Sequence, residues 1–251
     1  MADRIVKITD ELYNVRGSFK IAKLVDIGTQ CTLVRRPSGS WVLLDAYTMT
    51  GDVLDQVMAL TADGADLEAV IHTHPFHTIH VKRCAAQFPG AKQYGTRRHQ
   101  AKAPDLPWEP QLAEEPELHE LFADTLSFSV PAGVDFVPSN ENLHFASVLV
   151  FHAPSRTLHV DDTLMHNKLP MVGGVSFHPT LKKVLQPRAG AAAAFRAWCD
   201  DLVRRCATVE QLCPAHIHLP ARQEPGVIAE QVRVAIQKVA KVVDAHERKH
   251  G

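Results

Sequence analysis

The residue types with most chemical potential in this sequence are concentrated in the stretch AVIHTHPFHTIH, residues 69–80. Four of the chain's 15 histidines lie in it, directly after a short apolar run. A histidine buried only for packing must find partners for two ring nitrogens, so several at one strand end indicate a shared task. His72, His74 and His77 form an HxHxxH pattern that a loop can wrap around an ion. Zinc and iron accept neutral imidazole, so the pattern predicts a metal site.

Three further residues of ligand type lie at the boundaries of apolar runs. His144 occurs in NLHFAS, Asp162 in LHVDDTL and His216 in LCPAHIH. His218, two residues after His216, is an alternative ligand if the turn there is read differently. Each of these positions is one at which a strand could present a side chain to a common ion.

The elements that must position these residues are strands and helices in the first half of the chain. Segments such as LYNVRG and SWVLLDAY, separated by turn signals, are typical of a hairpin-rich sheet. Apolar spacing predicts an amphipathic helix over residues 51–60, and LEAVIH then reads as a buried strand. His72 and His74 would follow that strand's carboxyl end, which is the edge where open α/β sheets bind ligands.

The second half of the chain predicts another sheet and two long helices. TLSFSV, HFASVLVFHA and RTLHVDD are strand-like, with a hairpin turn at PSR. Helices are predicted over residues 191–206 and 227–248, with a strand in QLCPAH between them. The proline-rich stretch 99–122 is predicted to be a solvated connection over the surface, with a lid as the alternative.

Composition restricts the class of protein. With 251 residues, 45% hydrophobic and 22% charged, the chain is expected to form one soluble domain over residues 1–251. A net charge of -1 offers no basic field for nucleic acid. The N-terminal stretch lacks the apolar core of a signal peptide or spanning helix, so we expect a cytoplasmic protein without a membrane partner. The five cysteines form no CxxC pair and are expected to be free thiols.

Taken in order, these residues resemble the metallo-β-lactamase superfamily. The metal loop of that family reads HxHxDH, and a lone histidine, an aspartate in GDxL and a late histidine in GH follow it. WVLLDA resembles the family's early vLIDtG strand, and the resemblance runs from LYNVRG to PAHIH. It implies an α/β (α+β) fold, a four-layer αβ/βα sandwich of two mixed β-sheets flanked by helices, with the metal in a cleft at one sheet edge.

The resemblance also implies a set of metal ligands. By position, they are His72, His74, His77, His144, Asp162 and His216. The first metal would bind His72, His74 and His144, the second would bind His77 and His216, and Asp162 would bridge them. Asp45, at the end of WVLLDA, would support the metal loop from behind, as carboxylates around metal sites orient ligating histidines.

Departures from the family pattern bear on the number of ions. Phe76 stands where the family has the aspartate of HxHxDH, Asp161 replaces the glycine of GDxL, and Ala215 replaces the glycine before the last histidine. Without that carboxylate, two divalent ions would carry a large uncompensated charge. We expect one tightly held zinc ion, with iron or manganese as alternatives and a second ion weak or absent. Asp161 is a less favoured source of charge, because adjacent strand residues point to opposite faces.

The remaining histidines are predicted to lie outside the metal site. His80 is expected at the surface or at a helix cap, although it could face the same pocket. His152 and His159 would lie within strands, paired across the sheet or exposed. His178 lies on a predicted loop, where substrate contact is the less favoured interpretation.

The predicted function is a metal-dependent hydrolase that uses a metal-activated water on a small-molecule ester, thioester, lactone or phosphoester. Asp162 or His77 would move the proton. Phe76 favours a rival hypothesis, a degenerate member that has lost hydrolysis and acts as a binding or regulatory protein. Redox chemistry at iron is a third alternative, and oligomerisation is left open.

Overall fold

The computed structural model describes residues 3–21, 24–167, 174–216 and 218–251. The chain divides into two compact units. The first unit comprises Met1–Ser127 and Ala215–His218, and the second comprises Phe128–Pro214 and Leu219–Gly251. That the whole chain acts as a single domain stays a prediction.

The first unit is built on a mixed sheet. Its strands are β1 (Arg4–Thr9), β2 (Leu12–Gly17), β3 (Lys20–Ile21), β4 (Val25–Asp26), β5 (Thr29–Arg35), β6 (Trp41–Leu44), β7 (Leu67–Ile71) and β8 (Lys92–Tyr94). Six of them form the order β1-β2-β5-β6-β7-β8, and β3 and β4 form a separate hairpin. The strands from β1 to β6 pair antiparallel, as the hairpin-rich prediction required, whereas β6, β7 and β8 run parallel. The carboxyl ends of these three strands therefore share one edge.

Helices of the first unit cover an apolar face of this sheet. They are α1 (Gly51–Leu60), α2 (Val81–Gln87), α3 (Arg97–Lys102) and α4 (Pro116–Leu121). The predicted spacing of α1 is confirmed, because Val53 and Val57 are buried in a core that also contains Leu43 and Val70. Each such side chain contributes roughly 1.5–3 kcal/mol by leaving water, which holds α1 on the sheet.

The stretch 99–122, predicted to be a solvated connection over the surface, is mostly exposed or partly exposed, and hydrogen bonds to the sheet edge give it more order than the sequence indicated. The backbone N–H of Glu109 donates to the carbonyl of Gln93 at 2.8 Å, and that of Ala113 donates to Gly95 at 3.0 Å. The segment therefore runs along β8, and it ends in α4 with Leu118 and Phe122 buried. The prolines of the segment interrupt the helical pattern. Hydrogen bonds to the edge of the sheet give backbone N–H groups between them a partner instead.

The second unit contains the other mixed sheet. Its strands are β9 (Ser127–Ser129), β10 (Leu149–His152), β11 (Thr157–Val160), β12 (Leu164–Asn167), β13 (Gly174–Phe177) and β14 (Gln211–Pro214). Four of them form the order β14-β11-β10-β9, and β12 pairs with β13 in a hairpin. The predicted turn at PSR joins β10 and β11 antiparallel, and β14 runs parallel to β11.

Helices of the second unit bury a large aromatic core. They are α5 (Leu181–Val184), α6 (Ala191–Arg205) and α7 (Val227–His250), and a 3₁₀ turn at Cys206–Thr208 follows α6. Phe195 and Trp198 of α6 pack against Phe177, with ring centroids 5.7 and 6.2 Å away. The predicted class, two mixed sheets flanked by helices, is thus confirmed. Within the described ranges, no helix is both long enough and apolar enough to cross a membrane.

Candidate metal centre

Asp45 lies at the edge formed by the parallel strands β6, β7 and β8, beside residues 72–77. We call residues 72–77 the metal loop, after their predicted role. Asp45 follows β6 and has a positive φ of 61°, which aspartate tolerates better than most residues. Its Oδ1 accepts the backbone N–H of Thr73 and its Oδ2 accepts the Thr73 hydroxyl, both at 2.7 Å. The predicted support of the metal loop by Asp45 is confirmed, and it acts through the residue between His72 and His74.

A tight turn in the metal loop brings two predicted ligands together. The N–H of His77 donates to the carbonyl of His74 at 3.1 Å. The two imidazoles stack with centroids 4.0 Å apart, and a ring nitrogen of each lies within 4.8 Å of the other. His74 is buried and its Nδ1 accepts the N–H of Phe76 at 3.1 Å. Because Nδ1 accepts this bond, the neutral ring of His74 carries its proton on Nε2, and binding an ion through His74 would require this bond to break.

His216 belongs to the first unit and joins the same group. Its ring centroid lies 5.5 Å from that of His77. Its Nδ1 is 2.8 Å from the carbonyl oxygen of Gly28, and because a carbonyl only accepts, Nδ1 must carry the proton. That bond leaves a lone pair on Nε2, the arrangement that orients metal-binding histidines in proteins. His218 donates its backbone N–H to the carbonyl of His216, 2.9 Å away.

His72 is placed differently from these three histidines. Its ring is 1% exposed and lies against His99 and Trp108, with centroids 5.1 and 5.5 Å away. Its Nε2 is 3.3 Å from the amide oxygen of Gln93, so Nε2 donates and Nδ1 keeps a lone pair. Among the described residues, none hydrogen-bonds to this buried Nδ1. Burial lowers the pKa of His72, which keeps it in the neutral form that binds metals.

His99 was not singled out in the sequence, yet from α3 it packs against His72 at the start of the metal loop. It is buried, and desolvation, followed by the charge of His72, holds its pKa well below the usual value. Its Nδ1 accepts the backbone N–H of Thr96 at 3.2 Å and lies 2.9 Å from the threonine hydroxyl, which caps α3. A threonine three residues before a histidine, directly after a strand, is a capping pattern that could have been recognised.

The ring of Phe76, in the metal loop, packs against the guanidinium group of Arg98. Its ring lies 6.1 Å from that of His74, and the guanidinium carbon of Arg98 lies 4.5 Å from its centroid. Both side chains are partly exposed. The position where the resembling family carries a carboxylate is therefore an aromatic ring paired with a positive charge.

The second unit brings together its own two predicted ligands. His144 Nδ1 lies 3.7 Å from Asp162 Oδ2. His144 Nε2 is 2.7 Å from the carbonyl oxygen of Glu141, so Nε2 donates and Nδ1 keeps its lone pair. Asp162, directly beyond β11, is 5% exposed. Two ligands about 2.0–2.2 Å from a tetrahedral zinc are about 3.4 Å apart, so this pair fits a shared ion.

Two residues that precede Asp162, His159 and Asp161, belong to a separate group of possible ligands. His159 and Asp161, two residues apart on one face, offer ligand atoms within 4.8 Å of each other, and both are buried. His159 pairs with Val150 across the sheet, so its predicted pairing is confirmed and its exposure is not. Asp161 and Asp162 belong to different groups of possible ligand atoms, in keeping with the alternation of neighbouring residues.

Other histidines have local partners. His152 Nδ1 lies 2.7 Å from the Ser155 hydroxyl, and His178 Nδ1 lies 2.8 Å from the Thr180 hydroxyl. His80 occupies the cap position of α2, as predicted, and its Nδ1 accepts the N–H of Thr48 at 3.3 Å.

Comparison with known proteins identifies the fold. No protein-family model matches the chain, and no curated protein matches it. Solved structures do. The mono-zinc metallo-β-lactamase FIM-1 from Pseudomonas aeruginosa is 14% identical, with a TM-score of 0.60 over 96% of this chain and 97% of that one. A metallo-β-lactamase from Hirschia baltica is 13% identical, with a TM-score of 0.60 over 94% of this chain and 98% of that one. One from Erythrobacter litoralis is 11% identical, with a TM-score of 0.61 over 94% and 96%.

The chain therefore has the metallo-β-lactamase fold. The resemblance seen in the sequence is confirmed at this level, and the low identities mark the chain as a divergent version of the fold. Several of these side chains suit metal binding: His72, His144 and His216 each donate from one ring nitrogen and keep a lone pair on the other, and the carboxylate of Asp162 is buried.

Proposed function

We propose that this protein is a metal-dependent hydrolase of a small-molecule ester, thioester, lactone or phosphoester. The observation that carries the proposal is the convergence of His74, His77 and His216 in the first unit, with ring centroids 4.0 and 5.5 Å apart. Clustering imidazoles inside a protein is costly unless their ring nitrogens have hydrogen-bond or metal partners, and one bound cation can serve several rings at once.

Zinc is the proposed metal, with iron or manganese as alternatives. Bound to these residues, the ion would supply Lewis acidity that activates water and polarises a carbonyl or phosphoryl oxygen. That His72, His144 and Asp162 bind the same ion as the convergent histidines stays a prediction. Within the second unit, the facing atoms of His144 and Asp162 are spaced as ligands of one ion.

Protein groups would move the proton. A carboxylate next to an imidazole can accept a proton from water and pass it to a leaving group, which is the role we assign to Asp162. His77 is the second candidate, since its ring is partly exposed while that of His74 is buried. One ion is proposed, because Phe76 offers no carboxylate to a second.

Metal analysis of the purified protein tests the proposal. We expect about one zinc, iron or manganese ion per chain, with stoichiometry and affinity reduced in the variants His74→Ala, His216→Ala and Asp162→Asn. His119→Gln is the matched control, because His119 lies outside these groups and hydrogen-bonds to the carbonyl of Ala113 at 3.0 Å. A chain that holds no metal after supplementation contradicts the proposal.

Activity is tested on the metal-loaded protein. We expect hydrolysis of at least one member of a panel of esters, thioesters, lactones and phosphodiesters, and its loss in His74→Ala. The alternative function, a metal-holding protein that binds ligands without hydrolysing them, is favoured by Phe76 and its contact with Arg98. Full metal occupancy without turnover of any panel member would select that alternative.

A cytoplasmic location is part of the proposal. All five cysteines are buried free thiols. Thiols persist in this form in reducing compartments.

A further inference from the structure

Two histidines in the last turns of α7, in the second unit, lie outside the histidine groups described above. His246 and His250 are four residues apart, so they project from the same face of the helix. Their ring centroids are 4.6 Å apart. Both side chains are partly exposed, so a solute can reach them from the solvent. The pair is thus accessible and placed to share a ligand.

The separation of the two rings suits a metal ion held between them. A nitrogen ligand lies about 2.0–2.1 Å from a zinc ion, which puts the centroid of the imidazole ring about 3.2 Å from the ion. Two imidazoles that occupy neighbouring positions at a right angle would therefore have centroids about 4.5 Å apart. The observed distance is 4.6 Å. The helix already holds the two rings at the separation that one ion requires.

The protein sets the tautomer of His246 for this role. Its Nε2 is 2.9 Å from the carbonyl oxygen of Gln186. Because a carbonyl only accepts, Nε2 carries the proton and Nδ1 keeps a lone pair. A backbone carbonyl in this position fixes the imidazole ring and raises the basicity of its other nitrogen, as it does for metal-binding histidines in general. His246 is therefore oriented as a ligand by a residue 60 positions away in the chain.

The environment of His250 favours its neutral form and a nearby cation. Desolvation, followed by the charges of His246 and Lys249, lowers the pKa of His250. Neutral imidazole is the form that binds metals. His250 is also the last residue of α7, and the unsatisfied carbonyls of a helix end carry a partial negative charge that attracts cations.

The other charged side chains in these turns indicate a modest affinity. Asp244 and Glu247 form ion pairs with Arg196, at 2.8 and 2.9 Å. Arg248 and Lys249 add positive charge to the last turn. Among the described residues, the groups of three or more possible ligand atoms do not include the histidine pair, so water molecules would complete the coordination. A dissociation constant on the order of 10 μM is expected for an ion held by two imidazoles.

We propose that His246 and His250 form a metal site on α7 that binds a divalent transition-metal ion with a preference for imidazole ligands. Cu(II) is expected to bind most tightly, and Ni(II) and Zn(II) more weakly, in line with the general order of affinity for nitrogen ligands. The site uses none of the residues assigned to the hydrolase, so it does not rest on that function. Dialysis should remove its ion, which therefore adds to the metal content only when metal is in excess.

Titration with Cu(II) tests the proposal. Wild-type protein is first loaded with zinc and dialysed, and the added Cu(II) is followed by calorimetry and electron paramagnetic resonance. His246→Gln and His250→Gln should each lower the Cu(II) affinity of this site about tenfold or more, because one imidazole remains. The spectral component lost in His250→Gln should show two nitrogen ligands. The same component should persist in His74→Ala, which separates the α7 site from the histidines of the first unit.

Moving one histidine away from the shared face gives the matched control. Arg248→His combined with His250→Gln keeps the number of histidines in the last turn, but position 248 is two residues from His246 and faces a different direction. Its Cu(II) affinity should stay as low as that of His250→Gln, although the double variant carries less positive charge. Circular dichroism checks that α7 is intact in each variant. Equal Cu(II) affinities of wild type and His250→Gln, or tight binding restored in the double variant, would overturn the proposal.

Discussion

Asp45 illustrates how one side chain can fix a loop that it does not belong to. Both of its carboxylate oxygens accept hydrogen bonds from Thr73, one from the backbone and one from the hydroxyl. Hydrogen bonds to a buried carboxylate are stronger than neutral ones, because the charge is otherwise left unsolvated. The position of His72 and His74 therefore depends on a residue at the end of the neighbouring strand.

We predict that Asp45→Asn weakens metal binding about 10- to 100-fold and lowers the free energy of unfolding by about 1–3 kcal/mol. The substituted amide can accept only one of the two bonds and turns a donor toward the other. Zinc competition titrations and urea unfolding measure the two effects. Asp63→Asn is the control, since Asp63 has a similar φ of 55° but is exposed. Wild-type metal affinity in Asp45→Asn would contradict this role.

At the scale of elements, the chain can approach the start of α6 closely because Gly133 has no side chain. Gly133 has a φ of +74°, and a Cβ built on it would lie 2.1 Å from the carbonyl oxygen of Ala191, the first residue of α6. Its own carbonyl accepts the N–H of Gln186 at 3.0 Å. The chain at Gly133 therefore passes so close to the first turn of α6 that a Cβ at this position would meet helix backbone.

Gly133→Ala is expected to lower the free energy of unfolding by roughly 2–5 kcal/mol, because the strain of a left-handed alanine adds to the clash with backbone. Gly39→Ala is the control: its φ is +94°, but no atom lies within 4 Å of its added Cβ. It should cost only the conformational strain, about 1–2 kcal/mol. Urea unfolding of both variants gives the comparison, and equal losses would show that the close approach has no effect.

At the scale of the whole molecule, buried thiols link stability to pH. Burial raises the pKa of Cys84 in the first unit to about 12, and it raises those of Cys199 and Cys206 in the second unit to about 12, from an ordinary value of 9.0. Above pH 9 the unfolded chain releases these protons, while the folded chain retains them. Because the folded state then binds more protons, stability falls as pH rises.

We predict a loss of roughly 1 kcal/mol of unfolding free energy for each such thiol between pH 9 and pH 10. Urea unfolding in the presence of a reductant, at both pH values, measures the loss. The double variant Cys84→Ala, Cys206→Ala removes one thiol from each unit, so its stability should depend less steeply on pH. If the double variant keeps the wild-type pH dependence, these thiols are not its cause.

Much of the fold was predictable from the sequence because its signals are local. The apolar spacing of residues 51–60 predicted α1, and alternation together with turn residues predicted the hairpin of β10 and β11. The order within the proline-rich stretch 99–122 could not be predicted, since it comes from hydrogen bonds to Gln93 and Gly95, which no local pattern encodes.

The sequence by itself determined which residues can do chemistry: His72, His74 and His77 in one loop, and His144, Asp162 and His216 later in the chain. Ligand chemistry and strand-end positions can be read from residue type and spacing. Tertiary structure alone decided which of them meet. It stacked His74 on His77, packed His216 beside them, and set His72 against His99. It also placed Arg98 over Phe76. A local turn stacks His74 on His77, whereas the other contacts depend on the approach of residues far apart in the chain, which follows from strand pairing and side-chain packing.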